Sequence, residues 1–148
     1  MSEDRPQTGR FVGGEHRFAV RVYFEDTDLS GVVYHANYLR YMERARSDML
    51  TLAGIDQRAD MDAGGGYWAV HDLAITYRLP ARLDDALVVR SRVKTVRAAA
   101  CEIVQAVWRG DERLTTGTVM AAYLGMEGRP KRQPKEWRDA FQRLAMET

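Results

Sequence analysis

Asn37-Tyr38-Leu39-Arg40-Tyr41-Met42-Glu43-Arg44-Ala45-Arg46-Ser47-Asp48-Met49-Leu50-Thr51-Leu52-Ala53-Gly54 is the stretch on which the fold turns. Tyr38, Tyr41, Met42, Ala45, Met49, Leu52 and Ala53 recur at steps of three and four, which gathers them on one face of a helix. Arg40, Glu43, Arg44 and Asp48 fall mostly on the other faces. Asn37 is placed to cap the helix start and Gly54 to end it. A helix that is apolar on one side needs a sheet to cover that side.

The flanking segments supply the sheet. Upstream, Phe18, Val20 and Val22 alternate with other residues at a strand period. Downstream, a Gly64-Gly65-Gly66 loop leads to Leu73, Ile75, Tyr77 and Leu79, which alternate until Pro80. Leu87, Val89, Ser91 and Val93 alternate with Val88, Arg90, Arg92 and Lys94. Residues 99–109 and 115–124 complete the series, and Pro134 opens a short helix carrying Trp137, Phe141 and Leu144. Short links imply antiparallel pairing of consecutive strands. The expectation is an α+β domain: an antiparallel sheet of about five strands around one long helix, with a short C-terminal helix. Residues 1–16 read as a flexible tail and residues 17–148 as a single domain.

Composition narrows the classes. At 148 residues and 45% hydrophobic, the chain can bury a real core. A net charge of +1 gives no case for nucleic acid or a membrane surface. No stretch reaches the apolar length of a membrane span, and the polar start lacks a signal-peptide core, so a cytoplasmic location is expected. One cysteine, Cys101, excludes an internal disulfide and reads as a buried small hydrophobe. His16, His35 and His71 lack paired ligand spacing, so no metal is expected. No Gly-x-Ser-x-Gly elbow occurs.

The densest polar cluster is Glu25-Asp26-Thr27-Asp28, at the end of the first strand. Such a run can be a solvated Asx-type turn. However, Gly31-Val32-Val33-Tyr34-His35-Ala36-Asn37 carries it straight into the long helix. A helix N-terminus exposes unpaired N–H groups and partial positive charge, able to polarise a carbonyl that becomes an oxyanion. A carboxylate beside such donors is an acyl-transfer layout.

The run from Val22 through Glu25-Asp26-Thr27-Asp28-Leu29-Ser30-Gly31-Val32-Val33-Tyr34-His35-Ala36-Asn37 to Tyr38 resembles the signature of the 4-hydroxybenzoyl-CoA thioesterase family, closest to its Tol–Pal-associated branch. Tyr41-Met42-Glu43-Arg44-Ala45-Arg46 and Pro80-Ala81-Arg82-Leu83-Asp84-Asp85 continue the match, which covers roughly residues 17–134. The resemblance implies a hotdog fold and hydrolysis of an acyl-CoA thioester, with CoA part of the substrate and no cofactor. It implies Asp28 as the catalytic carboxylate, either nucleophile or general base on water, with Asp26 supporting the turn. It puts His35 where a backbone N–H at the helix start holds the thioester oxygen. Tyr34 and His71 are carried over as substrate contacts, and Lys94, Arg97, Arg129, Lys131 and Arg132 as contacts for the CoA phosphates. Tyr23, Asn37 and Tyr38 read as structural, and Glu43 as structural or exposed. Leu29-Ser30 departs from the small residues often found there. A homodimer, commonly doubled to a tetramer, with active sites at the subunit interface is also implied. A non-catalytic acyl-thioester binding module and a hotdog dehydratase are the alternatives.

Overall fold

The structure is a computed structural model describing residues 3–147. Its strands are β1 (Arg10–Val12), β2 (Glu15–Arg21), β3 (Tyr67–Tyr77), β4 (Ala86–Val96), β5 (Ala100–Arg109) and β6 (Glu112–Leu124). Its helices are α1 (Asn37–Leu52), α2 (Gln57–Asp62) and α3 (Lys135–Met146). All strands join one antiparallel sheet in the order β1-β2-β4-β5-β6-β3. The architecture is the expected α+β arrangement, a sheet curled around one long helix with a short helix at the C-terminal end.

α1 buries the stripe read from the sequence as far as Met49; beyond it Leu50 is buried and Leu52 is exposed. Tyr38, Tyr41, Met42, Ala45 and Met49 are sealed against the sheet, and burying Met42 or Met49 is worth ~1.5–3 kcal/mol each. The helix sits close because Gly117 lies beneath it: a Cβ there would stand 3.3 Å from the Met42 methyl. Buried Gln105 ties helix to sheet. Its amide donates to Met42 O (3.0 Å) and Ser91 Oγ (2.9 Å), and its carbonyl accepts from Arg46 Nη1 (2.8 Å). Val22, Leu87, Val89, Val107 and Leu114 are buried in the same cluster as the α1 stripe.

Four expectations are corrected. The sheet has six strands, because the segment taken for a flexible tail supplies β1, which folds back on β2 through Gly13-Gly14. Phe11 packs into the core, and His16 is fully buried with its Nε2 2.7 Å from Asp48 Oδ2. The same carboxylate oxygen accepts from Gly9 N–H at 2.9 Å, fixing the segment to α1. Second, β3 does not pair with its successor. It pairs with β6, and residues 78–85 cross beneath the helix start, where buried Ala81 donates its N–H to Tyr38 Oη (2.9 Å). Third, the stretch before the Gly64-Gly65-Gly66 loop, for which the sequence predicts no element, contains α2, capped by Asp56 accepting from Ala59 N–H. Fourth, Asn37 is the first residue of α1, not its cap. Its Nδ2 reaches back to Asp26 O at 2.8 Å.

Candidate active site

The acidic run folds on itself before α1 begins. Phe24–Asp26 forms a single 3-10 turn, and Thr27 pairs with Val33 in an antiparallel bridge. Asp28 N–H donates to Val32 O (2.9 Å) and Gly31 N–H to Asp28 O (3.0 Å), closing a tight hairpin. Gly31 turns it at φ +81°, a conformation that only glycine adopts without strain. Asp26 is the brace: its carboxylate accepts from Tyr23 N–H (2.9 Å), and its carbonyl accepts from Tyr34 N–H (2.9 Å) and Asn37 Nδ2. The hairpin is fastened to the domain by Val33 N–H to Ala81 O (2.9 Å) and a Val32–Arg82 bridge.

Asp28 stands exposed near the tip of this hairpin. One of its oxygens, Oδ1, accepts from Ser30 N–H at 2.8 Å and from the Ser30 hydroxyl. The Ser30 hydroxyl, then the Ser30 N–H, hold the Asp28 carboxyl below the usual carboxylate range. The group is ionised at neutral pH, and both bonds from Ser30 fall on the one oxygen. Ser30, seen in the sequence only as a departure from small residues, is the side chain that favours the charged form further.

The helix start supplies donors. Asn37 N–H goes to Tyr34 O (2.8 Å) and Leu39 N–H to Ala36 O (3.2 Å). Among the described residues none accepts from the backbone N–H of His35 or Ala36. The His35 carbonyl, which the first turn leaves unused, accepts instead from Tyr77 Oη at 2.8 Å. The rings of Tyr34 and His35 lie 4.5 Å apart between centroids. His35, Val33, Tyr38, Tyr77, Leu79 and Pro80 line an open cleft of about 260 Å³; Asp28 lies outside it. Tyr77 entered the sequence reading only as an alternating strand residue. It lies 42 positions from His35, and no local signal could have joined them.

The basic residues are elsewhere. Lys94 and Arg97 are exposed at the far end of β4 and in the turn beyond it. Arg129 and Arg132 are exposed in the strap after β6, and Lys131 donates its Nζ to Gly65 O at 2.7 Å. The strap is pinned to that turn by Gln133 N–H to Ala98 O (2.9 Å) and Gln133 Nε2 to Arg97 O (2.8 Å). Arg97, Arg129, Lys131 and Arg132 thus share one end of the sheet. The hairpin sits at the other end, where Val22 exchanges backbone bonds with Asp84 and Asp85 just before β4. The 11 residues of β4 separate the two ends by roughly 35 Å at 3.3 Å per residue. One chain alone does not bring Lys94, Arg97, Arg129, Lys131 or Arg132 to Asp28.

His71 is exposed at a bulge halfway along β3, an outermost strand of the sheet. Glu43 is exposed, and with Arg46 it edges a cavity of about 140 Å³ between α1 and the sheet, walled by Leu50, Trp68, Val70 and Ile103. Cys101 is buried, and burial pushes its thiol up to about 11, so it is no nucleophile at neutral pH. Among the described residues no group of three or more His, Cys, Asp or Glu is arranged to hold a metal ion. Among the described residues no helix is long and apolar enough to cross a membrane.

Comparison with known proteins gives consistent relatives. A sequence profile of the thioesterase-like superfamily matches residues 22–144. The acyl-CoA thioesterase YbgC of Haemophilus influenzae is 39% identical over 128 residues, covering 86% of this chain and 94% of that protein. The acyl-CoA thioester hydrolase YbgC of Escherichia coli is 39% identical over 98 residues, covering 66% of this chain and 72% of that one. Among solved structures, a probable thioesterase from Bartonella henselae superposes with a TM-score of 0.77 at 34% identity, over 81% of this chain and 99% of its own.

Proposed function

The chain belongs to the thioesterase-like superfamily, and from that membership we propose that it hydrolyses an acyl-CoA thioester to the free acid and CoA, with Asp28 as the catalytic carboxylate. The observation that carries the assignment is the pairing of an exposed carboxylate, held on one oxygen by Ser30, with two unclaimed N–H groups at the start of α1. The thioester carbonyl is held by the His35 N–H, which stabilises the oxyanion as the C–S bond breaks. The carboxylate either attacks the carbonyl carbon, giving a mixed anhydride that water cleaves, or takes a proton from the attacking water. Both routes end with a carboxylate product and CoA thiol, and neither calls for a cofactor or metal. A CoA thioester as substrate fits work in the cytoplasm.

The active unit is a homodimer, a further step of the same reading. The long edge strand β3 leaves its outer side unpaired and exposes Val70, Leu73 and Tyr77. Two copies pairing antiparallel about the His71 bulge would bring the Tyr67 end of one strand beside the Tyr77 end of the other. Tyr77 is tied to His35, and Gly65, next to the Tyr67 end, is tied to Lys131. The partner's Lys131 and its neighbours Arg97, Arg129 and Arg132 would then face the hairpin. That resolves the separation within one chain and supplies cations for CoA phosphates. Tyr34 and His71 would border the thioester path, Lys94 would lie further out, and two dimers can associate into a tetramer.

The test is direct. Purified protein is incubated with a panel of acyl-CoAs while free thiol is followed, beside Asp28→Asn. Turnover by the wild type and loss of it in the variant supports the assignment. Full turnover by D28N removes Asp28 from the chemistry, and no turnover of any acyl-CoA or acyl-carrier-protein thioester points to a binding module.

A further inference from the structure

Two adjacent peptide groups at the start of α1 share one property. The His35 N–H belongs to the peptide whose carbonyl, Tyr34 O, accepts from Asn37 N–H at 2.8 Å. The Ala36 N–H belongs to the next peptide, whose carbonyl, His35 O, accepts from Tyr77 Oη at 2.8 Å. A hydrogen bond to a carbonyl fixes the plane of its peptide and polarises the N–H on the other side, because bonds in a chain strengthen one another. The backbone supplies the first of these bonds. The second comes from a side chain on the last residue of β3, far away in sequence.

That side chain is itself held. The Tyr77 ring meets the His35 ring edge-on at 6.2 Å and the Tyr38 ring edge-on at 5.5 Å. Its backbone is paired to Thr115, and the chain beyond it is clamped by the N–H groups of Arg78 and Leu79 on Leu114 O. The hydroxyl therefore reaches the His35 carbonyl from a fixed platform on the sheet.

We propose that Tyr77 is a positioning residue for the thioesterase reaction: its hydroxyl orients and polarises the His35–Ala36 peptide, so that the Ala36 N–H serves as a second oxyanion donor beside the His35 N–H. The inference rests on the assignment of this helix start as the oxyanion site. Burial raises the Tyr77 hydroxyl above its ordinary range, so it stays a donor through the neutral and mildly alkaline range.

Tyr77→Phe removes the hydroxyl and keeps the ring. One lost hydrogen bond of this kind is expected to lower kcat by about tenfold, with KM within about twofold and the melting temperature unchanged. The substrate is an acyl-CoA that the wild type turns over. In ¹⁵N-alanine-labelled dimer or monomer, the Ala36 amide resonance should move in Y77F while amides remote from the hairpin stay in place. An unchanged kcat, an unmoved Ala36 amide, or a fall in kcat matched by a loss of folded protein would each overturn the proposal. Asp28→Asn run alongside separates the two ideas. Full turnover by D28N removes Asp28 from the chemistry and with it the reading of this hairpin as the active site, whereas an inactive D28N beside a normal Y77F sinks only the role of Tyr77.

Discussion

The two polar ends of this molecule are built in opposite ways. At the hairpin end, Asp28 is held by Ser30 two residues on, Tyr34 by Asp26 eight residues back, and Asn37 by Asp26 eleven residues back. At the basic end, Lys131 is held by Gly65, 66 positions away, and Gln133 by Arg97, 36 positions away. The hairpin end is shaped by bonds within one short segment and then fastened to the domain through Ala81 and Arg82. The basic end exists only once the sheet is closed, and alone it is a solvated set of cations. In the proposed function the reacting carboxylate sits where most bonds are local, and the CoA phosphates meet charge that the assembled fold gathers.

Predictions can break this division or sharpen it. The largest effect belongs to Asp28→Asn, which should lower kcat about a hundred- to ten-thousand-fold with stability unchanged, read by thiol release and thermal melting. Leu73→Asp comes next. It leaves both ends intact in each chain but puts two charges into the proposed pairing of β3 with its copy. Dimer affinity should fall on the order of a hundredfold, with activity falling in parallel, by sedimentation and assay at matched concentrations. An active monomer would show that one chain needs no second basic end. Arg132→Ala and Arg97→Ala should raise KM severalfold at low salt and less at high salt, leaving kcat alone. The smallest effect is Ser30→Ala. Because Ser30 lowers the Asp28 pKa, its loss raises that pKa, and the acid limb of kcat/KM should move to higher pH with little change at neutrality.

Much of the fold was legible because its signals are periodic. The stripe on α1 is a run of spacings that only a helix can bury, and Tyr41, Met42, Ala45 and Met49 are buried as that spacing requires. The alternation in β4 likewise buries Leu87, Val89, Ser91 and Val93. The failures share a cause. Arg10–Val12 is too short to carry a period, and it becomes a strand because Phe11 and His16 find the core and Asp48. The Asp28 hairpin could be named because its turn chemistry lies in consecutive residues. Tyr77 could not, since its partner is the carbonyl of a residue 42 positions away.

By itself, then, the sequence determined which segment carries the carboxylate and that it runs directly into an amphipathic helix, because those properties depend on neighbours along the chain. Only the tertiary structure decided that β3 would pair with β6 and lie at the edge of the sheet, that Tyr77 would reach the His35 carbonyl, and that Arg97, Arg129, Lys131 and Arg132 would gather at the end of the sheet opposite the hairpin. Those outcomes depend on the crossing of residues 78–85 beneath α1 and on sheet closure. Contacts between distant segments are set by packing the whole core, and no local pattern encodes them.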